Sequence, residues 1–298
     1  MITDKQLLEK YHIKPIGYTK KNNAIIIETK DNKFVFKKRT NQDNLFNYLK
    51  TRSFNYFPNN YSDDNDKYDI FEYQEDYKIH KDEKGIDLIN IVSLLHAKTT
   101  HYRDIDVDDY KKTYEELKEK LNYLDNYYGD LIDLVDTEIY MAPSSYLLAR
   151  NISKIISLIN YCKEELDDWY KIIKEEPKER VALIHNNLEL DHLMRNQNSY
   201  LISWDKAKQS NPIYDLHNFY RNNYKELEFS ELFNIYESRY PLLDNERKLL
   251  FILISIPDKI EFTKDEYLNT KKVNELLYYI YKTDTLISPY YPKDDTKE

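Results

Sequence analysis

The order of hydrophobic and polar residues near the start of the chain predicts β-structure. Ala24–Thr29 is apolar and rich in β-branched residues, and Lys33–Lys37 alternates with a period of two. The intervening Lys30-Asp31-Asn32 suits a tight turn, because Asx residues tolerate the left-handed backbone conformation. We therefore predict a β-hairpin here, followed by a short helix over Gln42–Arg52 and another strand over Tyr68–Tyr73.

Further along the chain, from Ile86, apolar residues recur with a period of about 3.6, which predicts helices. We expect one helix from Ile86, one from Tyr110 to about Tyr128, a long one from Pro143 to just before Pro177, and three near 229–240, 244–255 and 263–283. Strand-like runs at 181–184 and 200–204 predict one β-hairpin embedded near position 190. The pattern indicates a two-lobed α+β protein, with a β-rich N-lobe over 1–76 and a helical C-lobe over 77–298.

Composition and charge exclude several classes of protein. The chain has 298 residues, and 44 Lys and Arg against 53 Asp and Glu give a net charge of −9. This acidity disfavours a nonspecific nucleic-acid binder. Cys162 is the only cysteine, so an internal disulfide or a Cys-rich zinc site is excluded, and its place on the apolar stripe of a helix predicts a buried thiol. We see neither a signal-like nor a membrane-spanning apolar run, and we expect a cytoplasmic protein.

The segment between 183 and 216 concentrates the candidate chemistry. It contains Ile184-His185-Asn186-Asn187, then Asp191-His192, then Ile202-Ser203-Trp204-Asp205, and finally Pro212-Ile213-Tyr214-Asp215-Leu216. In a two-lobed protein such a segment lies where a nucleotide is held between a sheet and a helical domain.

This segment resembles the aminoglycoside phosphotransferase and choline kinase superfamily. The pattern of that superfamily is His-Gly-Asp, four variable residues, Asn, and a second strand that ends Ile-Asp-Trp. Phe34-Val35-Phe36-Lys37 is similar to its lysine-bearing strand, and Leu94-Leu95-His96 to a helix after the hinge. The wider chain is most like the spore-coat kinase-like members from low-G+C Gram-positive bacteria. The resemblance implies a kinase-like fold, ATP and Mg²⁺ as cofactors of the active members, and an association with the spore coat.

The chain departs from this pattern at the three positions that carry the chemistry. The catalytic Asp of the pattern falls on Asn187, its metal-binding Asn on His192, and the metal-binding Asp of Ile-Asp-Trp on Ser203. A carboxamide orients a hydroxyl group but cannot accept its proton. A serine hydroxyl brings no charge to a magnesium ion, and an imidazole suits zinc or copper better than magnesium. The substitutions predict a pseudokinase.

Two aspartates could restore a metal site. Asp205 lies two residues after Ser203 and so shares its face if the strand continues, and Asp191 is adjacent to His192. Lys37 is the candidate for contacts with nucleotide phosphates, and its expected acidic partner falls near Asn44 and Asp43.

The loop that would cover the phosphates looks poor for that purpose. We place a turn over Tyr18–Asn23, and it contains no glycine to let the backbone approach a phosphate closely.

The remaining polar residues of the segment are given structural roles. We expect His185 to brace the loop by hydrogen bonds, and Asp215 resembles the aspartate that caps or braces the catalytic loop in the superfamily. A metal-hydrolase cluster of His185, Asp191, His192 and His217 is the alternative. His96 is interpreted as a surface or helix-end residue.

These observations favour a catalytically degenerate kinase-like protein that acts as a binding or scaffold protein, with a protein partner. The alternative is an active ATP-dependent phosphotransferase on a small hydroxylated substrate, with Asp205 and Asp191 as the metal ligands. An ordinary helical interaction domain is the third class. No cofactor is predicted firmly, and no nucleic-acid partner or membrane span is expected.

Overall fold

The N-terminal sheet has the strands that the sequence predicts. In the computed structural model, which describes residues 5–21, 23–39, 44–63 and 66–291, a short helix α1 (Lys5–Lys10) precedes an antiparallel sheet of order β1-β2-β3-β4. Its strands are β1 (Gly17–Lys21), β2 (Ala24–Glu28), β3 (Lys33–Lys38) and β4 (Tyr68–Glu72). The predicted hairpin is confirmed, with Glu28 opposite Lys33 at its closed end.

The turn that we place over Tyr18–Asn23 is wrong for most of its length. Tyr18 to Lys21 belong to strand β1, where Tyr18 pairs with Ile27 and Lys21 with Ala24. The pairing thus extends to Lys21 and Ala24, and Asn22 lies outside the described residues. The exposed, polar side chains of β1 hide its strand character, because an edge strand with little burial carries no apolar alternation.

The sheet and the helix that follows it belong to different cores. A small core under the sheet consists of Leu7, Ile13, Ile27, Phe36 and Ile70. Helix α2 (Leu45–Thr51) instead contributes Leu49, together with Phe54 and Phe57 just after it, to the large core of the C-terminal part. The predicted start of this helix at Gln42, and Asp43, lie outside the described residues.

Seven helices form the bulk of the C-terminal part as the structure describes it. They are α3 (Lys81–Thr99), α4 (Val107–Asp136), α5 (Pro143–Glu175), α6 (Ile213–Asn223), α7 (Phe229–Arg239), α8 (Asp244–Ser255) and α9 (Glu266–Ile287). The long helix from Pro143 is confirmed, whereas α3 begins before Ile86 and α4 continues beyond Tyr128. In the continuation of α4, Val135 is still buried. None of the described helices is long and apolar enough to cross a membrane.

Cys162 is buried, as expected, and burial raises the pKa of its thiol to about 12.

The predicted hairpin near position 190 is wrong in its pairing. Strand β6 (Lys178–Ile184) lies between β5 (His101–Asp104) and β9 (Lys208–Ser210) in a three-stranded sheet. The hairpin in this region joins β7 (Leu193–Arg195) to β8 (Ser199–Leu201), and Trp204 follows in a 3₁₀ turn rather than in the strand. A period-two pattern identifies a strand but not the strands that pair with it, and β5, one of the two partners of β6, comes from a distant segment.

Hydrogen bonds of backbone groups and of side chains cross the expected lobe boundary. Leu201 of β8 donates its N–H to the carbonyl of Tyr56, at 2.8 Å, and the N–H of Arg195 donates to the carboxylate of Asp76, at 2.9 Å. Lys98 of α3 donates to the carbonyl of Ser53, at 2.7 Å. These contacts fix the segment after α2 and the segment after β4 to the C-terminal part. The division at 76/77 remains a prediction.

A buried ion pair anchors the start of β6, the strand that leads into the candidate site. Arg180 donates to Glu246 through both Nε, at 3.0 Å, and Nη2, and also to the carbonyl of Pro241, at 2.8 Å. Both side chains are buried, and the guanidinium group lies 4.1 Å from the ring centre of Tyr240. Glu246 accepts a further hydrogen bond from the N–H of Leu243, at the N-terminus of α8. The pair therefore holds β6 against α8.

We expect Glu246→Gln to lower the free energy of unfolding by about 2 kcal/mol or more, because it leaves the buried guanidinium of Arg180 without a compensating charge. Glu275→Gln is the matched control, since Glu275 pairs with Lys225 on the surface and its loss costs less than about 1 kcal/mol. Urea denaturation of the two variants measures the difference, and equal losses would contradict the assigned role of the pair.

Candidate ligand-binding cleft

A cleft of about 1050 Å³ lies between the N-terminal sheet and the loops that follow β6 and β8. Val35 and Lys37 of β3 line it on the sheet side, and Asn44 lines it at the start of α2. On the opposite side are the sequence-predicted residues: Asn187, Asp191, His192, Ser203 and Asp205. The fold therefore brings together six candidates from three separate stretches of sequence.

Asp215, at the start of α6, holds the backbone of the loop after β6. Its carboxylate is fully buried and accepts hydrogen bonds from the N–H groups of His185, at 2.8 Å, and Asn186, at 2.6 Å. Asn186, which stands at the Gly position of the superfamily pattern, has φ of 57°. Asparagine tolerates this left-handed conformation better than most residues, so the tight loop forms without glycine.

His96 also contacts this carboxylate, and the interpretation of His96 as a surface or helix-end residue is wrong. The residue is fully buried in α3, with Nε2 3.1 Å from Oδ2 of Asp215 and Nδ1 2.7 Å from the hydroxyl of Tyr236. Burial raises the pKa of Tyr236 well above its usual value, so its hydroxyl stays protonated and donates to Nδ1. The only sequence signal for this role was Leu94-Leu95-His96, which the resemblance places in a helix.

His185 is a buried residue that connects the loop after β6 to the segment after β8. Its Nε2 donates to the carbonyl of Ile202, at 2.9 Å, and its ring packs edge-on against Trp204. Burial lowers the pKa of the imidazole to about 4, so the ring is neutral at pH 7. A neutral, fully buried ring with this contact has a structural function in the loop.

Asn187, His192 and Lys206 form a small polar group on the floor of the cleft. His192 donates from Nδ1 to the backbone carbonyl of Asn187, at 2.7 Å. Lys206 donates from Nζ to Oδ1 of the Asn187 side chain, at 3.3 Å. Sequence reasoning missed Lys206, because its side chain reaches Asn187 only after the chain has turned through β7, β8 and a 3₁₀ turn.

Lys37 and Asp205 form an ion pair across the cleft. Nζ of Lys37 lies 2.5 Å from Oδ2 of Asp205, and the two side chains are 18% and 42% exposed. Helix α2 contains no Asp or Glu, Asn44 precedes it without a side-chain capping hydrogen bond, and Asp43 lies outside the described residues. Among the described residues, the acidic partner of Lys37 therefore comes from the C-terminal part rather than from α2.

The backbone at Ser203 is left-handed, with φ of 66° and ψ of 46°. Asp205 follows within a 3₁₀ turn, so the two residues do not lie on one extended strand. The expectation that both side chains share a strand face is therefore wrong, since the strand ends at Leu201. Asp191 lies exposed at the rim of the same cleft.

The cleft residues do not fit a magnesium ion of the kind that the superfamily uses. Mg²⁺ prefers hard, negatively charged oxygen ligands in octahedral geometry. Ser203 and Asn187 are neutral, the His192 ring offers nitrogen, and Asp205 is engaged by Lys37. Among the residues that the structure describes, no three His, Cys, Asp or Glu side chains converge as metal ligands. The metal-hydrolase alternative also lacks His217 as a ligand, since His217 does not line the cleft with Asp191 and His192.

The buried histidines predict how stability depends on pH. Burial lowers the pKa of both His185 and His217 to about 4, whereas an unfolded histidine titrates near 6.5. The unfolded state thus binds more protons between these values, and stability falls as pH decreases from about 6.5 to 4. We expect the urea midpoint to be lower at pH 5 than at pH 7, and His217→Gln to make this decrease smaller. A midpoint that is unchanged or higher at pH 5 would contradict the burial of these rings.

The comparisons with known proteins concern structure rather than sequence. No protein-family model matches the chain, and a search of curated proteins gives no match. An aminoglycoside phosphotransferase from Alicyclobacillus acidocaldarius superposes on 92% of this chain and 90% of its own, with a TM-score of 0.66 and 9% identity. An AMP-bound spectinomycin phosphotransferase covers 96% of this chain and 95% of its own, with a TM-score of 0.50 and 11% identity.

A choline kinase from Streptococcus pneumoniae covers 94% of this chain and 98% of its own, with a TM-score of 0.47 and 15% identity. The two phosphotransferases show the fold that the sequence resemblance implies. The predicted fold class is confirmed: the chain has the two-lobed α+β fold of a kinase-like phosphotransferase.

Proposed function

We propose that this chain is a kinase-fold protein that works by binding, and that it does not transfer phosphate. The observation that carries the proposal is the set of groups on the cleft floor: Asn187, His192 and Ser203, with Asp205 held by Lys37. Each member of this set lacks a property that phosphoryl transfer from Mg²⁺–ATP requires.

The first missing property is a base. A carboxylate at the position of Asn187 takes the proton of an attacking hydroxyl, and general-base assistance of this kind contributes about 10²- to 10⁴-fold in rate. The Asn187 amide cannot accept that proton, and its oxygen already accepts a hydrogen bond from Lys206.

The second missing property is negative charge for a metal ion. Phosphoryl transfer depends mainly on positioning and on neutralising charge on the transferred group. Ser203 supplies a neutral hydroxyl, and the carboxylate of Asp205 forms an ion pair with Lys37. An active ATP-dependent phosphotransferase would need that pair to open and Asp205 to become the main metal ligand.

The proposed role has consequences for partner and location that rest on the resemblance alone. A protein partner and a cytoplasmic location are the expectations for a pseudokinase of this kind, and a spore-coat association is implied by the spore-coat members. Fractionation of sporulating cells with an antibody against the chain tests the coat association, and absence from the coat fraction would remove it.

We expect the wild-type protein to show no ATP turnover above a protein-free blank, and no increase in melting temperature that requires ATP and Mg²⁺ together. The variant Asn187→Asp/His192→Asn/Ser203→Asp restores the superfamily pattern and should gain such an increase. A ligand at about 100 times its Kd stabilises by about 2.7 kcal/mol, which shifts the melting temperature of a chain of this size by several degrees.

A charge-matched control separates this effect from added negative charge. Ser157→Asp/Asn160→Asp adds the same two charges on the exposed face of α5, away from the cleft, and should not respond to Mg²⁺–ATP. Wild-type turnover that collapses in Asp205→Ala would overturn the proposal and establish the active phosphotransferase.

A further inference from the structure

At Asn187 and Ser203 the cleft floor lacks the negative charge that a metal site needs. Two carboxylates of the superfamily pattern are replaced by the neutral Asn187 and Ser203, and Lys206 places an ammonium group 3.3 Å from the Asn187 amide oxygen. Lys37 is ion-paired with Asp205 and Arg39 with Asp69, whereas Lys206 has no acidic partner among the described residues. Lys206 is therefore a local cation on the floor of a cleft whose lining as a whole holds seven acidic and five basic side chains.

The hydrogen bonds on the floor determine which groups remain as donors. Because Oδ1 of Asn187 accepts from Lys206, the amide Nδ2 of Asn187 is left to donate to a ligand. The ammonium of Lys206 has further N–H groups for the same purpose. Ser203 makes no hydrogen bond through its hydroxyl among the residues described, and it lines the same cleft. One amide donor and one hydroxyl donor thus line the cleft together with the ammonium of Lys206.

We infer that this cleft binds the phosphate chain of a polyphosphate ligand without a divalent cation, and that Lys206 supplies the charge that Mg²⁺ would otherwise provide. The inference rests on the proposed function and specifies its ligand class. A lysine ammonium is a compact charge with three donors and is well suited to phosphate oxygens. An ammonium beside the cleft floor also disfavours a divalent cation at the same place, because like charges repel.

The negative charge of Asp205 disfavours a phosphate ligand, and this leads to a prediction that an active phosphotransferase does not share. Its carboxylate repels phosphate and occupies Lys37, so Asp205→Asn removes a repulsive charge and releases a second ammonium into the cleft. The substitution should strengthen metal-free phosphate binding. In an active phosphotransferase with Asp205 as the metal ligand, the same substitution would weaken binding of Mg²⁺–ATP.

The experiment measures binding of three probes to the full chain by calorimetry: inorganic tripolyphosphate, ATP and adenosine, each with EDTA and with excess Mg²⁺. We expect tripolyphosphate and ATP to bind in EDTA, and Mg²⁺ to weaken both by competing for the phosphates. Binding should also weaken as salt increases, since the site is open to solvent. Tighter binding of ATP than of tripolyphosphate would identify a nucleotide as the source of the phosphate chain, and equal affinity an inorganic polyphosphate.

Substitutions assign the effect to the cleft floor. Lys206→Ala should weaken tripolyphosphate binding in EDTA by about tenfold, the loss expected for one charge-assisted contact. Lys208→Ala is the matched control, because Lys208 is exposed on β9 outside the cleft and removes the same charge. Asp205→Asn should tighten the same binding by about three- to tenfold.

The possible failures distinguish this inference from the proposed function. If no probe binds in EDTA or with Mg²⁺, the inference is overturned while a binding protein without phosphotransfer stands. If the probes bind only with Mg²⁺ and Asp205→Asn abolishes that binding, both are overturned. An equal loss of affinity in Lys206→Ala and Lys208→Ala would also refute the inference, because it would indicate general attraction to a basic surface.

Discussion

Asp215 buries a carboxylate completely, and groups from two other elements compensate its charge. The N–H groups of His185 and Asn186 come from the loop after β6, and the imidazole of His96 comes from α3. A buried carboxylate is stable only when such donors satisfy it, so the positions of these three elements are linked. The hydrogen bonds to Asp215 therefore hold the loop that carries Asn187 in its shape, independently of any ligand in the cleft.

The N-terminal sheet and helix α2, on the other side of the cleft, pack into two different cores. The sheet has its own small core, whereas Leu49 of α2, with Phe54 and Phe57, packs into the core of the C-terminal part. Helix α2 is thus fixed to the floor of the cleft, and the sheet carries Lys37 above it. The ion pair of Lys37 with Asp205 connects the two sides directly. Since this pair is partly exposed, it contributes little to folding stability and responds to charge in the cleft.

Residues that shape the loop and residues that face the cleft have different constraints. His185 and Asp215 satisfy buried polar groups, so their loss would destabilise the fold whether or not the protein performs chemistry. Asn187, Ser203 and Lys206 are accessible from the cleft, and a change of their charge costs the fold little. A kinase-like fold with an altered floor is therefore physically consistent, and the proposed metal-free binding uses only those accessible groups.

The sequence by itself determined the two-lobed fold class, the hairpin after Ala24, the long helix from Pro143 and the segment that carries the candidate site. These follow from local periodicity and from spacing within one stretch of chain. Only the tertiary structure decided that β6 pairs with β5 and β9, that His96 is buried against Asp215, and that Lys206 reaches Asn187. Each of these contacts joins residues distant in sequence or separated by irregular turns, and a local pattern carries no information on which side chains then meet.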